Sequence, residues 1–368
     1  MKLFGFLRAV IVPACIYQSI AIAGATATGR DVVEYFTQYG PTGGIYGFIV
    51  VVAGLAVLVG LAYEFARLYQ AYDYQSFAKH LIGPFWPCFE FIVIVMLLLV
   101  LSVVAAAAGA MMHDSFGLPP VSGLLLMLVA ISVLAFFGRE VLAKVMVFWT
   151  GILYLIFITY FVLALSAYEG NFTTTLFTRE VKGGWDYSAL KFILYNSLLA
   201  PMMIYATRGI RTRAQAYCAG VLSVILAILP SFLFHLSFLG KYPEIISQAL
   251  PVHWMLSTFN MNWLVIAYLV VVLGTFIETG SGMVQMMNER IDNWSLKARG
   301  RKISPWLHSA IGIGILLCCA VLAQYGVIAL IAKGYGTIGW AFLILYIIPL
   351  VTYGLYRILQ NRQIEVGK

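Results

Sequence analysis

Charge is what this sequence lacks most. Asp, Glu, Lys and Arg make up 10% of its 368 residues, whereas hydrophobic residues make up 62%. Soluble domains carry about a quarter charged residues, so a water-soluble fold of this length is excluded. Cysteine is also sparse. Cys15, Cys88, Cys218, Cys318 and Cys319 lie within or at the ends of apolar segments without CxxC spacing, so neither a disulfide framework nor a cysteine metal site is expected. The histidines (His80, His113, His235, His253 and His308) are scattered singly. No Walker A loop is present, which argues against an ATP-driven pump, and no GxSxG or HExxH signature points to an enzyme. A TVGYG-like filter and an Arg-rich voltage-sensing helix are also missing. The net charge of +8 would suit a nucleic-acid partner, but the basic residues sit between apolar runs, where the positive-inside bias puts them. The partner this implies is the lipid bilayer.

What is present is a series of apolar runs, each long enough to cross the hydrocarbon, which takes about 20 helical residues. The chain therefore reads as an all-α polytopic membrane protein. Ten spans are expected at about 5–38, 43–68, 85–112, 120–138, 141–168, 187–207, 214–238, 262–288, 305–330 and 336–359. Assigning the loops alternately leaves Arg30, Arg179, Lys182, Lys191, Lys241 and Lys333 on one side and every other Lys and Arg on the other. That asymmetry puts both termini in the cytoplasm of a bacterial cell, with the chain in its inner membrane. The longest cytoplasmic connection is expected at 290–304 and the longest outer ones at 169–186 and 241–261.

Two spans are interrupted. The first is broken at Ala23-Gly24-Ala25-Thr26-Ala27-Thr28-Gly29, followed at once by Arg30, Asp31 and Glu34. The sixth carries Tyr195-Asn196-Ser197-Leu198-Leu199-Ala200-Pro201, a polar pair and then a helix-breaking proline. Backbone groups freed at membrane depth are tolerated only where protein or water takes them up. Interrupted helices at matching places in two halves point to a midplane substrate site. The halves are expected at 1–168 and 187–360, five spans each and therefore inverted, with 361–368 as a cytoplasmic tail. Gly24, Ala25, Thr26, Thr28, Gly29, Arg30, Tyr195, Asn196 and Ser197 are the candidate substrate-binding residues. Arg30 has two readings: a bidentate clamp on a substrate carboxylate, or an ion pair, with Glu34 one turn on or with the adjacent Asp31.

The eighth span contains Gly274-Thr275-Phe276-Ile277-Glu278-Thr279-Gly280-Ser281-Gly282. A carboxyl inside an apolar helix must face the interior, pair or stay protonated, and burial favours its neutral form, which suits proton coupling. Glu278 is the candidate coupling group; a structural carboxylate is the alternative. Thr275, Thr279 and Ser281 offer hydroxyls for Na⁺, or back-bond their own helix. Glu90, early in span three, is a second acidic candidate. Lys144, near the start of span five, either snorkels to the surface or reaches Glu278.

At this level of detail the chain resembles the bacterial YkvI-like membrane proteins. The resemblance rests on Gly24 to Phe36 with Tyr39-Gly40, on Gly274 to Gly282 with Asn288-Glu289-Arg290-Ile291, and on Ile331 to Thr337 with Ile348-Pro349-Leu350. It implies the amino acid–polyamine–organocation superfamily and a LeuT-like fold: two inverted five-helix repeats, helices one and six unwound, and alternating access. In LeuT-like sodium symporters, a hydroxyl pair on helix eight and carbonyls of helix one hold a sodium ion. Thr279 and Ser281 match that pair in part. Members of the family often carry Gln-Glu where this chain has Arg30-Asp31.

The function expected is secondary active transport of a small polar solute such as an amino acid or amine, coupled to protons through Glu278. The alternatives are a Na⁺-coupled symporter of the same fold and a non-transporting small-molecule sensor. No cofactor is expected beyond H⁺ or Na⁺ as coupling ion, and the assembly is a monomer or homodimer.

Overall fold

A computed structural model of the chain describes residues 2–22, 24–137, 139–259, 261–325 and 330–366. Seven described helices are long and apolar enough to cross a membrane, and Gly5–Ala21 and Val121–Leu134 are shorter apolar helices. The interrupted segment at 185–209 completes the ten spans expected. The elements used below are α1 (Lys2–Ala21), α2 (Gly24–Thr28), α3 (Arg30–Tyr35), α4 (Pro41–Tyr69), α5 (Tyr74–Ile82), α6 (Trp86–Phe116), α7 (Val121–Phe137), α8 (Arg139–Ala167), α9 (Glu169–Phe177), α10 (Trp185–Asn196), α11 (Leu199–Met202), α12 (Arg213–Phe238), α13 (Pro251–Ser257), α14 (Asn262–Arg299) and α15 (Pro305–Ala323). A last span begins at Leu330 and ends at Val366, with π-helical turns at Leu330–Tyr335, Leu343–Ile347 and Leu350–Gly354. Residue 23 of the first break, 326–329 of the expected ninth span and 367–368 of the expected tail lie outside the described residues.

Why these helices begin where they do is read from their first residues. Thr212 and Gln215 form a capping box before α12, with Gln215 N donating to Thr212 Oγ1 at 3.3 Å and Thr212 N donating to Gln215 Oε1 at 3.0 Å. Asp73 caps α5, accepting from Ser76 N at 2.8 Å. Ser304 caps α15 ahead of Pro305.

α1, α4, α10 and α12 pack together as one group, and α6, α7, α14 and α15 as another; α1 and α2 also touch α14. Small residues set the closest approaches, as in membrane bundles generally. A side chain added at Gly220 of α12 would lie 2.7 Å from the Gly60 backbone of α4, and one at Gly274 of α14 only 2.1 Å from the Trp149 ring of α8. The outward faces are apolar: Phe91, Val129, Phe148 and Leu155 are exposed, which suits lipid rather than water.

The sequence reading placed a loop at 290–304, but α14 runs on to Arg299 and ends at Gly300, whose φ is 70°. Its 38 residues span about 57 Å at about 1.5 Å per residue, well beyond about 30 Å of hydrocarbon. Polar partners hold the extension. Arg290 Nε donates to Glu90 Oε1 at 2.5 Å, and Asp292 Oδ1 accepts from Ile303 N at 3.0 Å. Arg357 Nε donates to Tyr69 Oη at 2.6 Å at the same end of the bundle, where α1 also begins.

The backbone contact between α4 and α12 yields a test. Replacing Gly220 with Val overpacks that crossing, which costs about 1–3 kcal/mol, and should lower the detergent-solubilised melting temperature by several degrees. Gly314→Ala, at a site with nothing within 4 Å, should leave it unchanged or raise it slightly. Equal melting temperatures for the two variants contradict the crossing.

Candidate functional site

The first span is interrupted twice. Ile22 N still donates to Gln18 O at 2.9 Å, and after α2 the chain turns at Gly29, whose φ is 78°. Only glycine adopts that conformation at no cost. A side chain at Gly29 would in any case meet the Phe238 ring at 2.6 Å and Val252 at 2.9 Å. The turn exposes backbone, and protein takes it up. Tyr268 Oη of α14 donates to the Ala27 carbonyl at 2.8 Å, and Thr28 Oγ1 accepts from Arg30 N at 3.4 Å. Gly24 and Ala25 are the first two residues of α2.

The sixth span breaks between Asn196 and Leu199. Asn196 Nδ2 donates to Phe192 O at 3.1 Å and Ser197 Oγ to Leu194 O at 2.8 Å. Ser197 is turned back on its own helix and lines no cavity described below. Beyond Pro201 the backbone tightens into a 3₁₀ helix, Ile204–Gly209.

Two small cavities lie where the broken spans meet, and Ala21, Thr26 and Asn196 line both. One, of about 30 Å³, is completed by Ile20, Asp31, Met96, Val100, Tyr195, Leu199 and Met283. The other, of about 10 Å³, reaches Tyr17 and Ser231. Buried polar atoms without a hydrogen-bond partner concentrate here: Asp31 Oδ1, Tyr17 Oη and Ser231 Oγ. The other Asp31 oxygen accepts from Thr26 Oγ1 at 2.5 Å. Native proteins leave few buried polar groups unpaired, and a bound solute or water is the usual explanation.

Asp31 is the site residue that sequence reasoning missed, having been read only as a neighbour of Arg30. The signal was available. An ionisable group inside a span is a functional candidate by default, the rule already applied to Glu278.

Arg30 faces elsewhere. Its Nη1 donates to the Ile246 and Gln248 carbonyls at 2.8 and 3.1 Å, and its Nη2 to Glu34 Oε2 at 3.0 Å. Of its two readings, the pair with Glu34 is the one formed, and the loop carbonyls add a latch from α3 to the connection after α12. The same end is closed by other contacts. His235 bridges Thr37 Oγ1 at 3.0 Å and the Pro41 carbonyl at 3.1 Å. A carbonyl only accepts, so Nε2 carries the proton and Nδ1 receives the Thr37 hydroxyl. Tyr35, Phe192 and Tyr195 form a triangle of rings with centroids 5.2–5.5 Å apart over the larger cavity. At the opposite end a vestibule of about 650 Å³ opens between the start of α1 and that of α12, lined by Arg8, Pro13, Gly209, Arg211 and Gln215.

The second candidate group lies on α14. Tyr268, Thr275, Thr279 and Met283 fall on one face by helical spacing. Tyr268 and Met283 turn that face toward the broken first span. Thr275 donates to its own Val271 carbonyl at 2.9 Å. Thr279 Oγ1, Ser281 Oγ and Glu278 Oε1 are buried without a partner. Glu278 is one turn on from Gly274, the residue against Trp149 of α8. Lys144 is exposed, whereas Glu278 is buried. Glu90 is ion-paired with Arg290 and accepts from Tyr74 Oη at 3.2 Å, at the end of the bundle where α1 begins.

No family model matches the chain, and no curated protein is similar to it in sequence. Solved structures are similar in fold. A manganese transporter of Eremococcus coleocola superposes with a TM-score of 0.62 at 12% identity, over 94% of this chain and 78% of that one. A Na⁺-coupled sialic acid symporter gives 0.64 at 11%, over 95% and 79%. MhsT, solved with L-phenylalanine, gives 0.63 at 12%, over 96% and 97%. The chain has the LeuT-like, all-α polytopic membrane fold.

Two tests follow from the closed end. Arg30→Ala should raise amide exchange at 244–250 about tenfold or more, since a hydrogen bond to a charged group contributes about 1.5–3 kcal/mol; unchanged exchange contradicts the latch. His253, outside the spans, lies 3.1 Å from Ser115 Oγ, and burial lowers its pKa from the ordinary value, opposed by Asp114. The unfolded chain then takes the proton first, so stability is present above about pH 6.5 and lost as pH falls below it. Wild type should lose more melting temperature between pH 7.5 and 5.5 than His253→Gln; equal losses overturn the assignment.

Proposed function

We propose that the chain is a secondary active transporter of a small polar solute, an amino acid, amine or related compound, working by alternating access in a bacterial inner membrane. One observation carries the reading. A small buried cavity with Thr26, Asp31 and Asn196 in its wall sits where two interrupted spans meet, closed toward the latched end, with a 650 Å³ vestibule at the other. That is the arrangement an alternating-access carrier needs when its site faces away from the latch. The three similar solved proteins are described as a manganese transporter, a sialic acid symporter and a complex with phenylalanine. Their cargoes differ, so they support the class of activity and leave the solute to this chain's own residues. The three sequence blocks shared with YkvI-like proteins support that family, and the loop charges support a cytoplasmic vestibule.

Thr26, Gly29, Tyr195 and Asn196 shape the substrate site, and Glu278 is the coupling group. An unpartnered carboxyl deep in α14 suits a proton that arrives and leaves with each cycle. A second reading rests on Thr279 and Ser281, whose hydroxyls are equally unpartnered: Na⁺ bound there would replace the proton. In both readings, ion and solute tighten each other's binding by the same factor.

The test is uptake of radiolabelled amino acids and amines into vesicles under an imposed inward proton gradient. Wild type should accumulate a member of the panel. Glu278→Gln should fall to the level seen without a gradient while eluting as a folded, monodisperse protein. Wild-type pH dependence in that variant removes the proton role, and strict Na⁺ dependence moves coupling to Thr279 and Ser281.

A further inference from the structure

We infer that the cavity at Asp31 selects a positively charged solute, a short primary alkylamine, and rejects the corresponding carboxylate and amino acid. The inference rests on the transporter reading for the role of that cavity and narrows it to one substrate class.

The charge balance is the first argument. Asp31 is 1% exposed. One of its oxygens accepts from Thr26 and the other lines the 30 Å³ cavity without a partner. An ionised carboxylate buried in this way is costly unless a cation meets it. Arg30, next in sequence, forms no ion pair with it, since both of its terminal nitrogens are engaged by Glu34 and two loop carbonyls; its charge acts on Asp31 only from a distance. Among the described residues no Lys, Arg or His lines the cavity. A cationic occupant supplies the direct counter-charge that an ionised Asp31 needs there.

The second argument is the supply of hydrogen-bond donors. The Thr26 hydroxyl donates to Asp31, and the Asn196 amide donates to Phe192 O. The Thr26 donor and one of the two Asn196 N–H groups are therefore engaged, and the free Asp31 oxygen is an acceptor. An ammonium brings three donors and no acceptor, which fits. The carboxylate of an acid or an amino acid would meet Asp31 as a like charge, with at most one Asn196 N–H left to hold it.

Third, Met96, Val100, Leu199 and Met283 make the rest of the wall apolar, as an alkyl body requires. A divalent metal would ask for several hard or ionised ligands. Among the described residues no three His, Cys, Asp or Glu come together.

The experiment uses three probes that share a branched isobutyl unit: isobutylamine, valine and isovalerate, with Mn²⁺ as a fourth. Binding to the purified full-length protein is followed by thermal shift and titration calorimetry, and uptake by radiolabelled isobutylamine and valine in vesicles. Isobutylamine should bind, and valine and isovalerate about 30-fold or more weaker, the size expected when one partner of a buried charge pair is mismatched. Asp31→Asn should lose isobutylamine binding by a similar factor, and Asp31→Glu should retain it. If Asp31→Asn fails to fold, the ranking of the three probes on wild type decides alone. Valine, isovalerate or Mn²⁺ binding as tightly as isobutylamine overturns the inference, as does unchanged amine binding in Asp31→Asn or no binding by any probe. The underlying reading fails separately. Uptake of valine without amine binding removes the cation class and leaves transport standing, whereas Asp31-dependent amine binding without uptake leaves the class and removes transport.

Discussion

The hydrogen bond from Tyr268 to the Ala27 carbonyl expresses the constraint on which the rest of this molecule depends. Inside a bilayer a freed carbonyl has no water to turn to. A helix can be interrupted there only if another helix supplies the missing partner. α14 does so from the face that also carries Thr279 and Met283. The break, the buried hydroxyl and one wall of the cavity are thus held in one register. Slippage of α14 along α1 would leave the carbonyl unpaired and move the cavity wall away from Thr26. The fold holds an unwound segment in place by a side chain some 240 positions away in sequence.

Closure at the latched end follows a similar logic with charges. Glu34 and two loop carbonyls share the Arg30 guanidinium, so the same group that neutralises Glu34 also fixes the connection after α12. Gly29 lets that connection sit directly on the turn, where any side chain would collide with Phe238 and Val252. The left-handed turn ends α2 and lets α3 start at Arg30. Consecutive residues of a helix point about 100° apart, which sends Arg30 to the loop and Asp31 to the cavity.

Much of this was legible in the sequence. Apolar runs gave the ten spans, because membrane thickness fixes helix length. Small residues at 23–29 and Pro201 gave both interruptions. Glu278 drew attention for its isolation among apolar residues. What escaped depended on direction or on distance along the chain. Asp31 stands beside Arg30, and adjacency suggested a pair; as neighbours on α3 their side chains point about 100° apart. Glu90 looked like a free acidic candidate, yet its partner Arg290 is 200 residues away, on a helix extension that local composition reads as a loop. Ser197 looked suitable for a ligand, but its hydroxyl had an acceptor on its own helix at Leu194.

The vestibule has a consequence in rates. Arg8 and Arg211 both line its mouth, where low-dielectric walls focus a positive potential. Salt shortens the reach of that field to about 8 Å at physiological strength, but a passage this narrow stays inside it. For the cationic solute proposed above, leaving by this route is downhill and entering is a climb. Local cation concentration at the mouth falls below that of the bulk, so arrival slows and departure quickens. The two faces of the proposed carrier then differ in apparent affinity for the same solute. In that proposal the final accumulation ratio is untouched, because a fixed field does no net work over a complete cycle.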